Sequence, residues 1–322
     1  MLTRIRTAKV TWLNVKLSLE ITNAARAWID EDLVSALLVA GVLSANTEGV
    51  DQNPTDLRRF SEPGRLPDDV LRPVNVLSVA LSLGIPRETA RVKIAALMER
   101  GVLVKRGKGV ILSAEVVLSE PFMAAMALFL RAINDFIEGL ATIEACGVLA
   151  GDHMARPPWS IGGVAARLAT AHVLRGIDHA QQVNPDVNLT TRYIHLALAH
   201  LTGSALRILP SVPAGGGRLA ALEPRLGPVT IAELARFTRL DDETLRRHVD
   251  KLERAGAVVR EHRGRDINLG DPALVARWLD FQSRTKISTS QLVWKFYLAG
   301  VIVRGPRHGP TAGTGGPNGS AG

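Results

Sequence analysis

The sequence predicts a mainly α fold with small β wings, in which one helix–turn–helix–hairpin unit occurs twice and further helices connect and flank the copies. Three observations carry this expectation. The run Leu83-Gly84-Ile85-Pro86-Arg87-Glu88-Thr89-Ala90-Arg91, followed by Leu97, Gly101 and Val104, is echoed by Leu240-Asp241-Asp242-Glu243-Thr244-Leu245-Arg246-Arg247, followed by Leu252, Gly256 and Val259. Aligned positions such as Gly101 and Gly256 stand 155 residues apart. Each copy then ends in a basic turn, Lys105-Arg106-Gly107-Lys108-Gly109 in the first and Arg263-Gly264-Arg265-Asp266, preceded by Arg260, in the second. Hydrophobic residues make up 46% of the 322 positions, which is ample for packed cores and excludes wholesale disorder.

The elements follow in order. Residues 1–46 form a helical segment, since from about Val10 to Asn46 the positions Leu13, Leu17, Ile21, Ala24, Ala25 and Trp28 fall on one stripe. Residues 47–73, rich in Pro, Gly and Asp, read as a connection with at most short structure. The first unit spans 74–118. Val76, Leu77 and Ala80 supply the inner face of its first helix, Gly84 permits the turn, and Pro86 starts the second helix, where its missing N–H costs nothing. Ile85, Ala90, Ile94 and Leu97 keep the core spacing, and Gly101 ends that helix as a C-cap.

A central helical segment, 119–212, holds helices near Pro121–Leu140, Val164–Val183 and Thr191–Leu209, the last with Asn188 or Thr190 at its N-cap. Pro213-Ala-Gly-Gly-Gly217 is a flexible entry to the second unit, 213–270. Residues 271–304 hold helices near Pro272–Arg284 and Ser288–Val303, and 305–322 form a disordered tail with almost no apolar content. The duplication is expected to reach beyond the units, matching Asp32–Ser44 with Thr190–Thr202 and Leu130–Phe136 with Val275–Phe281.

Net charge is +8, from 39 Lys+Arg against 31 Asp+Glu, which favours a polyanionic partner because each neutralised phosphate releases counterions. The single cysteine, Cys146, excludes an intrachain disulfide and a cysteine zinc cluster, and reads as a small core residue. Arg4, Arg6 and Lys9 are followed by no secretory h-region. The most apolar windows, Val34–Ala45 and Phe122–Leu130, are shorter than the ~18–20 residues of a membrane span and read as buried helices. A cytoplasmic, nucleoid-associated protein with no membrane partner is expected.

His172 and His179 are seven apart and His195 and His200 five apart, which fits no tight metal-binding pair. Gly215-Gly216-Gly217 lacks the Lys-Ser/Thr of a phosphate loop, and Ser283-Arg-Thr-Lys286 stands without companion motifs. No catalytic residue, metal site or cofactor is therefore expected, and the chain does not read as an enzyme.

A helix–turn–helix ending in a basic hairpin is the layout of a winged helix-turn-helix, whose usual business is DNA. In the first copy Arg87, Glu88, Arg91 and Val92 lie outward. Arg87 and Arg91 are the base-contact candidates, because arginine binds guanine O6 and N7 bidentately. Thr89 and Lys93 on the helix, with Arg106 and Lys108 on the wing, are phosphate candidates. The second copy offers Thr244, Arg246, Arg247, Arg263 and Arg265.

Charge ranks the copies. From Arg87 to Lys108 seven Lys/Arg face two Glu; from Asp241 to Arg265 seven face six acids. Three of those acids suit the positive helix start, and Asp242–Arg246 and Glu243–Arg247 are i,i+4 pairs that partly neutralise the arginines. The first copy is the expected stronger reader.

On these residues the chain resembles the winged helix-turn-helix families of bacterial transcription regulators. Ile85-Pro-Arg-Glu-Thr-Ala-Arg with Leu97 and Arg100-Gly101-Val102-Leu103 is most similar to the GntR type; Glu243-Thr244-Leu245-Arg246-Arg247-His248-Val249 with Leu252 and Ala255-Gly256 is similar to GntR and MarR types alike. The resemblance implies recognition-helix side chains in the major groove and wing residues against phosphate or minor groove. It implies no effector domain, and in the GntR family the unit is single and N-terminal, whereas here it is internal and repeated.

The expected function is a sequence-specific transcription regulator on double-stranded DNA, its tandem units occupying two half-sites, with the helical segments as a candidate homodimer face. A replication initiator of tandem winged-helix type and a protein-interaction scaffold are the alternatives.

Overall fold

A computed structural model describes residues 2–29, 32–64, 66–67, 69–117, 119–208 and 226–305. The expected connection at Pro213–Gly217 and the tail beyond Gly305 lie outside the described residues. The chain is mainly helical, 68% helix against 8% strand, and its strands form small two-stranded antiparallel sheets.

The first half runs α1 (Leu2–Ile29), α2 (Leu33–Gln52), α3 (Pro54–Arg59), α4 (Val76–Ser82), α5 (Arg87–Glu99), β1 (Leu103–Arg106), β2 (Gly109–Leu112), α6 (Ala114–Val117), α7 (Glu120–Ile143) and β3 (His153–Met154). A 3₁₀ turn at Pro158–Ile161 leads into the second: α8 (Gly162–Gln181), α9 (Leu189–Leu201), α10 (Ser204–Arg207), α11 (Ile231–Thr238), α12 (Asp242–Arg254), β4 (Val258–Glu261), β5 (Gly264–Ile267), α13 (Pro272–Leu298) and β6 (Ile302–Val303).

Local chemistry sets the helix starts. Asp32 accepts from the Val34 and Ser35 N–H groups ahead of α2, Asn75 from Leu77 ahead of α4, and Asn188 from Thr191 ahead of α9. Thr230 and Glu233 form a reciprocal capping box at α11.

A shift of 155 residues superposes the element bounds of α4, α5, β1 and β2 on those of α11, α12, β4 and β5, except that α11 ends one residue later. The bridges Val74↔Val110 and Val229↔Arg265 obey the same shift. So do the left-handed residues: Gly84 (φ +63°) and Arg239 (φ +55°) at the helix–helix turns, Gly101 and Gly256 (both +70°) after the second helices. Leu240 is therefore the counterpart of Ile85, and Thr238 that of Leu83, correcting the leucine-to-leucine match drawn from sequence. The backbone aligns on the left-handed residue, which is a glycine in one copy only. The inner face of α4 is Val79 and Ala80, with Val76 and Leu77 half-buried.

The flanking elements repeat with small changes of spacing. Buried positions of α7 and α13 coincide at a shift of 152, pairing Phe122 with Leu274, Met126 with Trp278, Phe129 with Phe281 and Leu140 with Leu292. The match of Leu130–Phe136 to Val275–Phe281 is thus seven residues out. Seven residues are nearly two turns at 3.6 residues each, so the wrong register keeps the same face.

The packing repeats under exchange of halves. α1 lies on α7 and α13 while α8 lies on α13 and α7; α2 packs on α8 as α9 packs on α1. α1 and α8 meet each other at the centre, where the Asn14 amide bonds His172 and donates to Thr289. β3 and β6 pair antiparallel, His153 opposite Val303 and Met154 opposite Ile302, so the last strands of the two halves close one ribbon.

Boundaries differ from expectation where polar residues are buried. α2 continues six residues past Asn46, because Thr47 donates to Asp51 and Asp51 pairs with Arg167 at 2.9 Å, both carboxylate and guanidinium buried. At 20 residues and a mean hydropathy of 1.5, α2 has the length and composition of a membrane-crossing helix, more than the apolar window in the sequence suggested; 56% of that window is buried inside the protein. α13 is one helix of 27 residues, where two had been expected, and Val303 belongs to β6.

Candidate nucleic-acid interface

In α5, Ala90, Ile94 and Leu97 are buried, which turns Arg87, Glu88, Thr89, Arg91 and Val92 outward. Pro86 precedes the helix and supplies no side-chain cap, so among the described residues no side chain occupies the N–H groups of the first turn. Arg91 does not stand alone. Its Nη2 donates to Glu88 Oε1 at 2.6 Å, with the two side chains 67% and 72% exposed. The hydrogen bond from Arg91, aided by the charge of Arg87, holds the Glu88 carboxyl below the usual carboxylate range.

Lys93 is placed differently from expectation. Its Nζ lies 2.7 Å from Asp32, the cap of α2. Arg100 likewise donates to the Ile29 carbonyl at 2.8 Å. These two cations brace α5 against the first two helices. In the hairpin Gly107 (φ +57°) makes the tip, with Lys105 and Lys108 exposed and Arg106 half-buried.

The second copy spends its charge internally. Asp241 accepts from the Thr244 N–H at 2.7 Å and caps α12, and Arg246 reaches Asp242 at 3.7 Å. Leu245, His248, Val249 and Leu252 are buried, leaving Arg246 and Arg247 exposed and Thr244 half-buried. The hairpin tip is His262-Arg263; Arg265, expected in the turn, lies on β5 and pairs with Glu253 of α12. Arg260 joins the same carboxylate at 3.5 Å. The next residue, Asp266, is buried and pairs with Arg207 at 2.6 Å. Arg263 is thus the outward cation of this turn, and Arg265 is withdrawn.

Each helix–helix turn is held from the other half. Arg192 of α9 donates from Nη2 to the Leu83 carbonyl at 3.1 Å. Arg26 of α1 donates from Nη1 to the Thr238 carbonyl at 2.8 Å. The two carbonyls occupy equivalent positions, 155 residues apart. Gly84 leaves room for the first clamp, since a Cβ there would meet Arg192 Nη2 at 2.6 Å.

The sequence places Lys105 in the basic turn without singling it out as a contact, and it does not show that the first turn of α5 lacks a side-chain cap. Pro86 was the available signal for the missing cap, having no side-chain acceptor.

His172, His195, His200 and His248 are buried, whereas His179 is half-buried and His153 and His262 are exposed. Burial pushes His172 and His195 down to about 3 and His200 to about 4, leaving neutral rings bonded to Asn14, Asn184 and the Trp12 carbonyl. Among the described residues no group of three or more His, Cys, Asp or Glu could hold a metal ion. Compared with protein-family models, curated proteins and solved structures, the chain matches none of them.

Proposed function

We propose that the chain is a sequence-specific, DNA-binding transcription regulator with two winged helix-turn-helix units, and that the first unit is the stronger reader. The observation that carries this reading is the face made by α5 and the β1–β2 hairpin. Exposed Arg87, Thr89 and Arg91 stand at a helix start with no side-chain cap, and exposed Lys105 and Lys108 lie on the hairpin that follows the helix. Helix N-termini and basic side chains both attract phosphate, and arginines at the start of such a helix can reach guanine edges.

The second unit supports a lesser role. Asp241 caps α12, Asp242 sits beside Arg246, and Glu253 takes Arg260 and Arg265. What it offers DNA is Arg246, Arg247 and Arg263.

Selection of fragmented genomic DNA on the purified protein, with bound fragments sequenced at moderate salt, tests the reading. Enrichment of a few intergenic fragments sharing a motif supports a regulator. A clustered repeat at one locus would replace it with a replication initiator, and no enrichment above background with a protein-interaction scaffold.

A further inference from the structure

An apolar cavity of about 240 Å³ is walled by α1, α2, α7 and the β1–β2 hairpin of the first half together with α8 of the second. Trp28, Phe122 and Phe129 give it aromatic walls, with Trp28 and Phe122 edge to face at 5.1 Å. Val104, Ile111 and Leu112 bring the hairpin to its rim. The second half does not reproduce this chemistry, because the counterpart of Ile111 is Asp266, consumed by its ion pair with Arg207.

Among the described lining residues Arg167 is the cation, in a wall that is mostly apolar but also carries Thr22, Asn46, Thr47, Glu62 and Thr170. Arg167 is 6% exposed; its Nε donates to Asp51 at 2.9 Å and its Nη1 to the Phe60 carbonyl at 3.0 Å. Its Nη2 is buried and has no hydrogen-bond partner among the described residues. A buried donor left unmade is costly and calls for an acceptor. Asp51 already balances the guanidinium charge, and Glu62 brings a carboxylate to the lining. An anionic ligand would bring an uncompensated charge into this site, whereas a neutral carbonyl oxygen would not. Size narrows the class further. Since benzene occupies a cavity of ~150 Å³, this one suits about ten non-hydrogen atoms.

We propose that the cavity binds a neutral, largely apolar molecule of about ten non-hydrogen atoms whose oxygen accepts from Arg167, and that its occupancy stiffens the β1–β2 hairpin. Filling the void gives the hairpin side chains contacts they otherwise lack. The inference stands on the cavity and does not depend on the DNA reading, although it would give that unit a small-molecule input.

Calorimetric titration with acetophenone, ethylbenzene and phenylacetate tests it on the full chain. Acetophenone should bind, and about tenfold tighter than ethylbenzene, the worth of one net hydrogen bond. Phenylacetate should bind more weakly than acetophenone. Amide exchange should slow over residues 103–112 and stay unchanged over 258–267.

Two variants locate the site, each checked for folding by thermal melting. Ala166→Leu, which fills the cavity, should remove binding of both neutral probes. The pair Asp51→Asn and Arg167→Met removes both charges yet keeps an acceptor for Thr47, and should bring acetophenone down to the level of ethylbenzene. The proposal is overturned if neither neutral probe binds the wild-type chain up to its solubility limit, if Ala166→Leu binds acetophenone unchanged, if the preference survives in the double variant, or if phenylacetate is the tightest probe. Unchanged exchange over 103–112 on saturation would overturn the link to the hairpin.

Discussion

Glu88 is an acid on the face proposed to meet a polyanion, and its partner explains its presence: it holds Arg91 in one orientation through a bidentate hydrogen bond. Replacing it separates restraint from charge. Glu88→Gln should strengthen binding to arbitrary duplexes and steepen the salt dependence by about one phosphate contact, as measured by titrating binding against salt. Loss of affinity confined to one sequence would instead make Glu88 a reader of cytosine N4. Arg87→Ala should cost about 1–3 kcal/mol on the selected site and relax preference at one base; an equal loss on every sequence would mark a phosphate contact. The histidines give a pH signature of a different origin. His172, His195 and His200 are neutral in the folded chain down to about pH 3–4 but gain protons near 6.5 once unfolded. Because folding lowers these pKa values, stability is full above pH 6.5. It should fall by about 1.4 kcal/mol per buried histidine for each pH unit below that, until the folded pKa is reached. Urea unfolding at pH 7.5, 6.5 and 5.5 checks this, and a flat profile would mean that the rings are hydrated in the native state.

The helices and hairpins of the two units were legible because their signals are local: Gly84 and Pro86 at the first helix–helix turn, Gly101 and Gly256 as helix ends, apolar positions spaced three and four apart. What hydropathy could not show is polar residues that are buried because they bond one another. Thr47, Asp51 and Asn46 look like the start of a loop, yet Asn46 donates to the Arg72 and Val110 carbonyls and accepts from the Leu112 N–H, tying α2 to the hairpin. Thr285, Ser288 and Thr289 likewise fill the buried face of α13, so a continuous helix reads as two. For the candidate interface the exposed arginines of α5 were readable by spacing. The destination of Arg265 was not, since strand alternation decides it and the two-residue turn lies at His262-Arg263. The clamps from the opposite half were invisible for the same reason as any contact between distant segments. Arg192→Met should therefore destabilise the chain by about 1.5–3 kcal/mol, the range for a hydrogen bond to a charged group, and accelerate amide exchange around Gly84. Unfolding in urea and exchange rates measure the two effects; unaltered exchange at the turn would show that the clamp is idle.

At the scale of the molecule, the two clamps and the β3–β6 ribbon join the halves from both sides, which fixes the separation and relative rotation of α5 and α12. If both units engage DNA, the selected site should contain two half-sites in strict helical phase. Inserting about five base pairs between them should reduce binding to that of the first unit alone, and about ten should restore it, as measured by gel shift. Binding indifferent to the insertion would indicate that the second unit does not touch DNA. The near-symmetry of the frame has a consequence separate from spacing. A true homodimer looks identical from either end of its site, but here the pseudo-dyad relates a basic surface to a neutralised one and Ile111 at a cavity rim to Asp266 in an ion pair. Seated on DNA, such a chain would point: a neighbour approaching from upstream would meet a different protein from one approaching from downstream, so the complex would carry a polarity that its fold nearly erases.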